Sequence, residues 1–360
     1  MKSPLLVLLM AFSAAPALQA DETTPLPSYV QDAGWPQDAN GVVQDLKSTR
    51  LTGSLETEQL ILINDVLFLA FRPGRYSEFV ELARGVNSMQ VIPNGDGTHS
   101  LILVKSEGAV LIGWDWDTPD YITTQSLPAD FVNWGDVQAM WVQEVSGTQK
   151  LYGYDGGAGV IRRAQHCSGV WTMDESLASH GALRDLAFVE LDPTSPGEEI
   201  VLLEKYDMIV MSADGEQILD KTQSKATDSI AVLRSPSVAS ADLLVHSYMD
   251  SGSHYVRVRN STQSSPGFLL GSTDCTAILP RKSTQFGDHL LLTRGGSGDV
   301  DVLEIHSSTG PGGLVLSRNG AGAWVDTHED EDQRPVQAAT LVDFDLDGQE
   351  DLMVAVRNGN

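Results

Sequence analysis

The sequence predicts an all-β protein built from one repeated unit of short strands, and three observations predict it. A short element recurs, with polar residues followed by about four apolar ones: EQLILI from Glu58, HSLILV from His99, QKLYGY from Gln149, EEIVLL from Glu198, ADLLVH from Ala241, DHLLLT from Asp288 and EDLMVA from Glu350. Its first apolar positions (Leu60, Leu101, Leu151, Ile200, Leu243, Leu290, Leu352) are spaced by 41, 50, 49, 43, 47 and 62 residues. Each copy is flanked by further apolar alternation and by turns rich in Gly, Asn and Asp, the pattern of hairpins. No long stretch carries helical periodicity with caps at both ends. A period of 40–50 residues with several short strands per unit is that of a propeller blade. The fold expected is therefore a seven-bladed β-propeller.

Six repeats leave room for four strands each. The seventh starts near Val336 and reaches only two strands by Asn360. An unpaired sheet edge there would invite association with another chain. The segment from Tyr29 to Asp45 precedes the first inner strand, placed near Leu46 to Leu51, and has no blade of its own. It is expected to supply outer strand material to the seventh blade and so close the ring. The copies from Val137 (VQAMWVQEVSGTQKLYGY) and Val336 (VQAATLVDFDLDGQEDLMVAV) both open on Val-Gln-Ala, and Gly147 and Gly348 stand four residues before the key Leu. Gly97 holds the same place before Leu101.

The first twenty residues predict export. Met1-Lys2 begins the chain, Leu5 to Phe12 is apolar, and small residues end at Ala17 or Ala20 before Asp21-Glu22, the layout of a cleavable signal peptide. Residues 21–360 then form one propeller domain, periplasmic or extracellular. No stretch reaches the roughly 18 apolar residues of a membrane helix, so no membrane insertion is expected. The formal net charge is −26 and the pI near 4.4. That surface repels phosphate backbones, which argues against nucleic-acid partners.

One string is sharp. In Asp343-Phe344-Asp345-Leu346-Asp347-Gly348-Gln349-Glu350-Asp351, carboxylates at positions 1, 3 and 5 converge as the backbone wraps, and Gly at position 6 permits the turn. The carbonyl at 7 and the acid at 9 complete an oxygen cage suited to Ca²⁺. An EF-hand needs Glu at position 12, which is Val354 here, and flanking helices, where QAATLV and LMVAV read as strands. The metal ligands expected are Asp343, Asp345, Asp347, Gln349 (backbone carbonyl) and Asp351. This string resembles the calcium loop of FG-GAP repeats, as in integrin α-subunits and bacterial VCBS-type proteins. The resemblance implies a seven-bladed propeller with the loop joining the innermost strand of a blade to the second. It is specific in the last repeat. The second repeat keeps Asn94, Asp96 and Gly97 but has Ile92 and Ser100 at the outer ligand positions; the fourth has Asp192 and Gly197 in a loop of different length.

Weaker signals remain. Cys167 and Cys275 fall three blades apart, too far for a disulfide, and both are expected unpaired and largely buried. Trp114, Trp116, Trp134, Trp141, Trp171 and Trp324 could stack on sugars, although such rings more often pack between blades. The loops around Trp114 to Asp120, Asp250 to His254, Gly295 to Asp299 and Asp326 to Asp332 are candidates for recognition. No Gly-x-Ser-x-Gly, His-Glu-x-x-His or phosphate loop is present, so catalysis has no sequence signature. The expected function is a calcium-binding adhesion or interaction module for a protein or glycan. A polysaccharide lyase or glycosidase, or an envelope assembly scaffold, is the alternative.

Overall fold

In a computed structural model, residues 5–7, 37–39, 43–51, 58–70, 80–114, 121–125, 127–145, 147–179, 181–194, 197–223, 229–235, 240–272, 275–283, 287–294, 300–307, 313–318, 336–342 and 351–356 are described. They form six four-stranded antiparallel sheets, each made of four consecutive strands in chain order, and two strand pairs. The first sheet runs Val43–Thr49, Glu58–Ile63, Val66–Ala70 and Val80–Arg84. The second is Val86–Pro93, His99–Lys105, Gly108–Trp114 and Tyr121–Gln125, and the third Val137–Val145, Thr148–Asp155, Val160–Cys167 and Val170–Ala178. The fourth is Leu183–Val189, Glu199–Glu204, Asp207–Met211 and Ile218–Gln223. The fifth comprises Ile230–Leu233, Leu243–Asp250, Ser253–Arg259 and Phe268–Gly271. The sixth comprises Cys275–Ser283, Gly287–Arg294, Val300–Ser307 and Leu314–Arg318. Two compact units divide these sheets, one with the first three and one with the last three.

All seven copies of the recurring element are second strands. Val336–Val342 pairs with Asp351–Val356 as the seventh copy's two strands. In the six sheets their near-continuous apolar character has a packing cause, because residues on both faces of the second strand are buried. In the second sheet Leu101 and Leu103 pack with Leu60, Leu62 and Leu67 of the first. The alternate residues Ile102 and Val104 pack with Met140, Leu151 and Ala164 of the third. The other unit repeats the arrangement. Leu244 of the fifth sheet meets Val201, Leu203 and Val210 of the fourth, while Val245, Val256 and Val258 meet Ile278, Leu290 and Leu292 of the sixth.

First strands carry a second repeat that a period of two hides. Register shifts fall between Val43 and Asp45, Val86 and Ser88, Val137 and Ala139, Leu183 and Asp185, and Cys275 and Ala277. A bulge there lets residues three apart both point inward. Val43 with Leu46, Val86 with Met89, Val137 with Met140 and Leu183 with Leu186 are the buried pairs. Cys275 occupies the same position ahead of Ile278 and is fully buried, which accounts for it as a small apolar side chain.

Two expectations need correction. The first strand of the first sheet starts at Val43, so the end of the segment Tyr29 to Asp45 belongs to that sheet. Neither cysteine forms a disulfide, as expected, but Cys167 is exposed rather than buried because it ends a third strand at a turn. A further pairing was not foreseen: Leu5–Val7, inside the apolar run of the signal-like segment, pairs with Gln37–Ala39 and lies against Asp351–Val356.

Candidate functional site

The expected metal ligands Asp343, Asp345, Asp347 and Gln349 lie outside the described residues, and Asp351 is the first residue of the strand Asp351–Val356. The strands bracketing them do pair, so the loop joins a first to a second strand. The acids of two related loops, Asp96 and Asp192, are described, and each is met by protein donors. Asp96 Oδ1 accepts from the Thr98 N–H at 2.9 Å and the Thr98 hydroxyl at 2.6 Å. Asn94 donates to Thr98 Oγ1 and accepts from the Ser100 hydroxyl. Asp192 makes the same pair of bonds with Thr194, at 3.0 and 2.7 Å. The hydroxyl donors hold both carboxyls below the usual carboxylate range, with the backbone N–H adding to the effect. A threonine two residues after the acid thus does by hydrogen bonding what a cation would do. Among the described residues no group of three or more His, Cys, Asp or Glu is gathered to hold a metal.

Tryptophan placement follows packing. Trp134 and Trp171 are buried, and Trp134 belongs to a short 3₁₀ helix, Ala129–Trp134, between the second and third sheets. Its ring lies 4.8 Å from Phe131, whose ring meets Trp171 edge-on at 6.2 Å. The close approach dictates two glycines. A Cβ on Gly153 would stand 2.6 Å from the Trp134 ring, and one on Gly108 would stand 2.7 Å from the Phe131 carbonyl oxygen. Beside this plug is a cavity of about 430 Å³ lined by Asn94, Ser100, Gln149, His166 and Trp171. His166 stacks on Trp171 at 4.9 Å. Trp116 and Trp324 are outside the described residues, as are most of the candidate recognition loops. Asp250 to His254 is described and turns through Ser251 and Gly252 at positive φ.

A second cavity, about 420 Å³, opens where the fourth and fifth sheets meet. Its lining brings the acids Asp192, Glu199 and Asp220 together with Arg259, Asn260 and Ser261, and Leu191, Val210 and Leu219 supply its apolar surface. Glu199 is 3% exposed, and its Oε2 accepts from the Leu191 N–H at 2.9 Å. Burial, and the neighbouring Asp192, push its pKa up. Glu58 does the same structural task in the first sheet, accepting from Leu51 N–H at 2.8 Å. Glu190 is raised too, by burial and then by Glu199, Asp242, Glu198 and Asp192. Arg234 answers part of this charge through Glu198 and Asp242.

The fifth sheet's face toward the fourth is cationic. His246, opposite Arg257 in register, is 3% exposed and its pKa falls to about 3 through burial and then Arg259 and Arg257. Arg257 lies over the Tyr248 ring at 5.2 Å, and Tyr248 stacks on Tyr255 at 5.3 Å. Arg259 Nη1 donates to Asp220 at 2.8 Å. Sequence reasoning missed this cluster, although a signal existed: HYVRVRN places Arg257 and Arg259 on one strand face and Val256 and Val258 on the other.

No protein-family model matches the chain, and no curated protein sequence matches it. Solved structures do. BBS1N, in complexes with ARL6DN, aligns with TM-scores of 0.52 and 0.54 at 11% and 10% identity, covering 74% of this chain and 80% and 82% of the other. The Dos1 propeller aligns with a TM-score of 0.49 at 10% identity, over 88% of this chain and 78% of that one. By fold, this chain resembles β-propeller proteins. The likeness at this identity concerns fold alone, and FG-GAP membership stays a resemblance of one loop.

Proposed function

We propose that this chain is an exported, calcium-supported seven-bladed β-propeller that serves as an interaction module for a protein or a glycan. The observation that carries the reading is the repetition of rigid four-stranded sheets joined by loops that differ from copy to copy. Such scaffolds hold variable loops in fixed positions, which suits recognition. BBS1N, similar in fold, was solved with a protein bound. In the proposed ring the two strands of the seventh copy are completed by N-terminal strand material, and Asp343, Asp345, Asp347, Gln349 and Asp351 hold one Ca²⁺ between them. Cleavage after Ala20 removes Leu5–Val7 and leaves Gln37–Ala39 as the strand available for closure.

The test is a glycan array together with a pull-down against envelope and extracellular proteins, using protein purified from the exported fraction. Partner binding is expected to survive D345A and to be lost in a W116A/D330A double variant. Binding lost in D345A with the fold intact, and kept in the double variant, would instead make the metal loop the recognition surface. N-terminal sequencing of the exported protein is expected to start at or near Asp21. Recovery of an intact Met1 start in the cytoplasmic fraction alone would remove export from the proposal.

A further inference from the structure

The second copy's counterpart of the acidic string borders a cavity. Aligned on their glycines, Gly97 and Gly348, the two loops place Ile92, Asn94 and Ser100 where the seventh copy has Asp343, Asp345 and Asp351. All three line the cavity of about 430 Å³ beside the aromatic plug, and the third sheet adds Gln149, His166 and Trp171. Among the described lining residues there is no Asp, Glu, Lys or Arg, in a chain with 20% charged residues. A carboxylate, phosphate or ammonium seated there would give up water and gain no opposite charge from the lining. The cavity therefore favours a neutral ligand.

Its polar side chains are accessible and held in place. Asn94, Ser100 and Gln149 are half-buried, whereas Ile92, Leu111 and Trp171 in the same lining are buried. Asn94 donates to Thr98 Oγ1 at 3.0 Å and accepts from the Ser100 hydroxyl at 3.1 Å, and the Gln149 amide donates to the Pro93 carbonyl. Each keeps capacity beyond those bonds. A primary amide has two N–H donors and a carbonyl with two lone pairs, and a hydroxyl that donates once still accepts. His166 Nε2 and Trp171 Nε1 are buried and out of a ligand's reach, so recognition falls to Asn94, Ser100 and Gln149. Amides and a hydroxyl offer donors and acceptors together, which matches ligand hydroxyls, since these also do both.

We infer that this cavity binds a neutral sugar ring of the hexose type, with its hydroxyls on Asn94, Ser100 and Gln149 and its C–H groups toward the apolar surface of Ile92, Leu111 and Trp171. A hexose combines hydroxyls with apolar ring C–H groups and carries no charge, which is what the lining asks for. The volume of about 430 Å³ falls within the roughly 300–1,000 Å³ of small-molecule sites. The inference uses no residue assigned to the metal loop or to the recognition loops, so it stands or falls independently of the interaction module.

Titration calorimetry on the full-length protein tests it, with D-glucose, D-galactose and D-mannose as probes and the uronate of each as its charged counterpart. Saturable binding of at least one hexose is expected, with its uronate weaker by about tenfold or more. N94D restores the acid that the seventh copy has at Asp345 with little change of shape, and should weaken hexose binding by about tenfold. S100A removes one hydroxyl and should weaken it by about threefold or more. The W116A/D330A double variant should bind the hexose as wild type does. Melting temperatures in the same buffer show which variants have folded, and S100A, the smaller change, carries the test if N94D does not fold. No heat from any of the three hexoses, a uronate bound as tightly as its hexose, or full binding by the folded site variants would overturn the inference. Binding lost in W116A/D330A and kept in S100A would also overturn it, by placing the sugar at the recognition loops.

Discussion

The seam between the second and third sheets and the seam between the fourth and fifth meet the same geometric demand with different chemistry. In the first, Phe131, Trp134 and Trp171 fill the gap with rings, and Gly108 and Gly153 give up their side chains to admit them. In the second, Leu244, Val201, Leu203 and Val210 close part of the gap, and His246, Arg257, Arg259 and Glu199 occupy the rest. A ring-filled seam gains from area removed from water and from edge-on ring contact. A seam with buried ionisable groups forgoes part of that gain, since each such group must be desolvated. The contrast separates a seam closed by rings from one that keeps ionisable side chains among its apolar ones.

The largest expected effect belongs to His246. Its folded pKa, about 3, lies below the ordinary 6.5, so between those values the unfolded chain binds the proton and the folded chain does not. Stability therefore falls as pH drops from 6.5 toward 3, by about 5 kcal/mol in all if this group acted alone. Glu190 and Glu199 act in the opposite sense, because their folded pKa values are raised above 4.5; they lower stability as pH rises from there. Urea unfolding between pH 4 and 7 should show a positive slope in wild type and a flatter one in H246Q. Equal slopes in the two proteins would mean that His246 is hydrated and titrates normally.

Next is Trp134→Ala, which empties the ring-filled seam. Loss of a fully buried tryptophan is expected to cost about 3–5 kcal/mol. The G153A variant attacks the same contact from the other side, since its Cβ has no room beside the ring. Combining the two should cost less than the sum of the single changes, because Trp134→Ala makes the space that Gly153→Ala needs. Strict additivity by thermal unfolding would show that the two residues do not touch.

Asp242 comes third, in the charged seam's unit. Buried at 5% exposure, it accepts from Ser235 N–H at 2.7 Å, Glu190 N–H at 3.2 Å and Arg234 Nη1 at 2.8 Å. Asp242→Ala strands these donors and should destabilise by about 2–3 kcal/mol, with a smaller loss in Asp242→Asn, which keeps an acceptor oxygen. An alanine variant as stable as wild type would place this carboxylate in water.

How far these features were legible depends on whether a local pattern encoded them. The second strands read directly from sequence, because burial on both faces produces runs such as Leu101 to Val104 that stand out against polar turns. First strands were blurred, because the bulges put Val86 and Met89 three residues apart, which matches neither strand nor helix period cleanly. Trp134 could be read only as packing or stacking, since what decides between them is Gly153, a residue nineteen positions on. The Arg259 cavity draws Glu199 and Arg259 from different sheets, and no spacing within either strand announces the other. Loop motifs read well as chemistry but not as occupancy, since the Asp96 and Asp343 loops share acids and a glycine and differ in the residues after that glycine.

That difference gives the smallest effect and the cleanest contrast between the turns. In the Asp96 turn, Thr98 supplies both donors that the carboxylate needs, and Asn94 and Ser100 complete the ring. The corresponding stretch after Asp347 is Gly348-Gln349-Glu350-Asp351, with no hydroxyl to take Thr98's part and more acid to be neutralised. In the proposed calcium loop a cation would take that part for Asp343, Asp345, Asp347 and Asp351, and binding at a hundred times the dissociation constant would add about 2.7 kcal/mol to the folded state. Thermal unfolding with and without about 5 mM calcium, above the usual range for extracellular modules, should therefore show a calcium-dependent rise in melting temperature that is kept in D96A and lost in D347A. D96A should itself shift the midpoint less than Asp242→Ala, because its turn is exposed and water replaces the lost acceptor. A calcium response lost in D96A and retained in D347A would move the metal to the second sheet, and a response lost in neither would leave the acidic loop without a metal role.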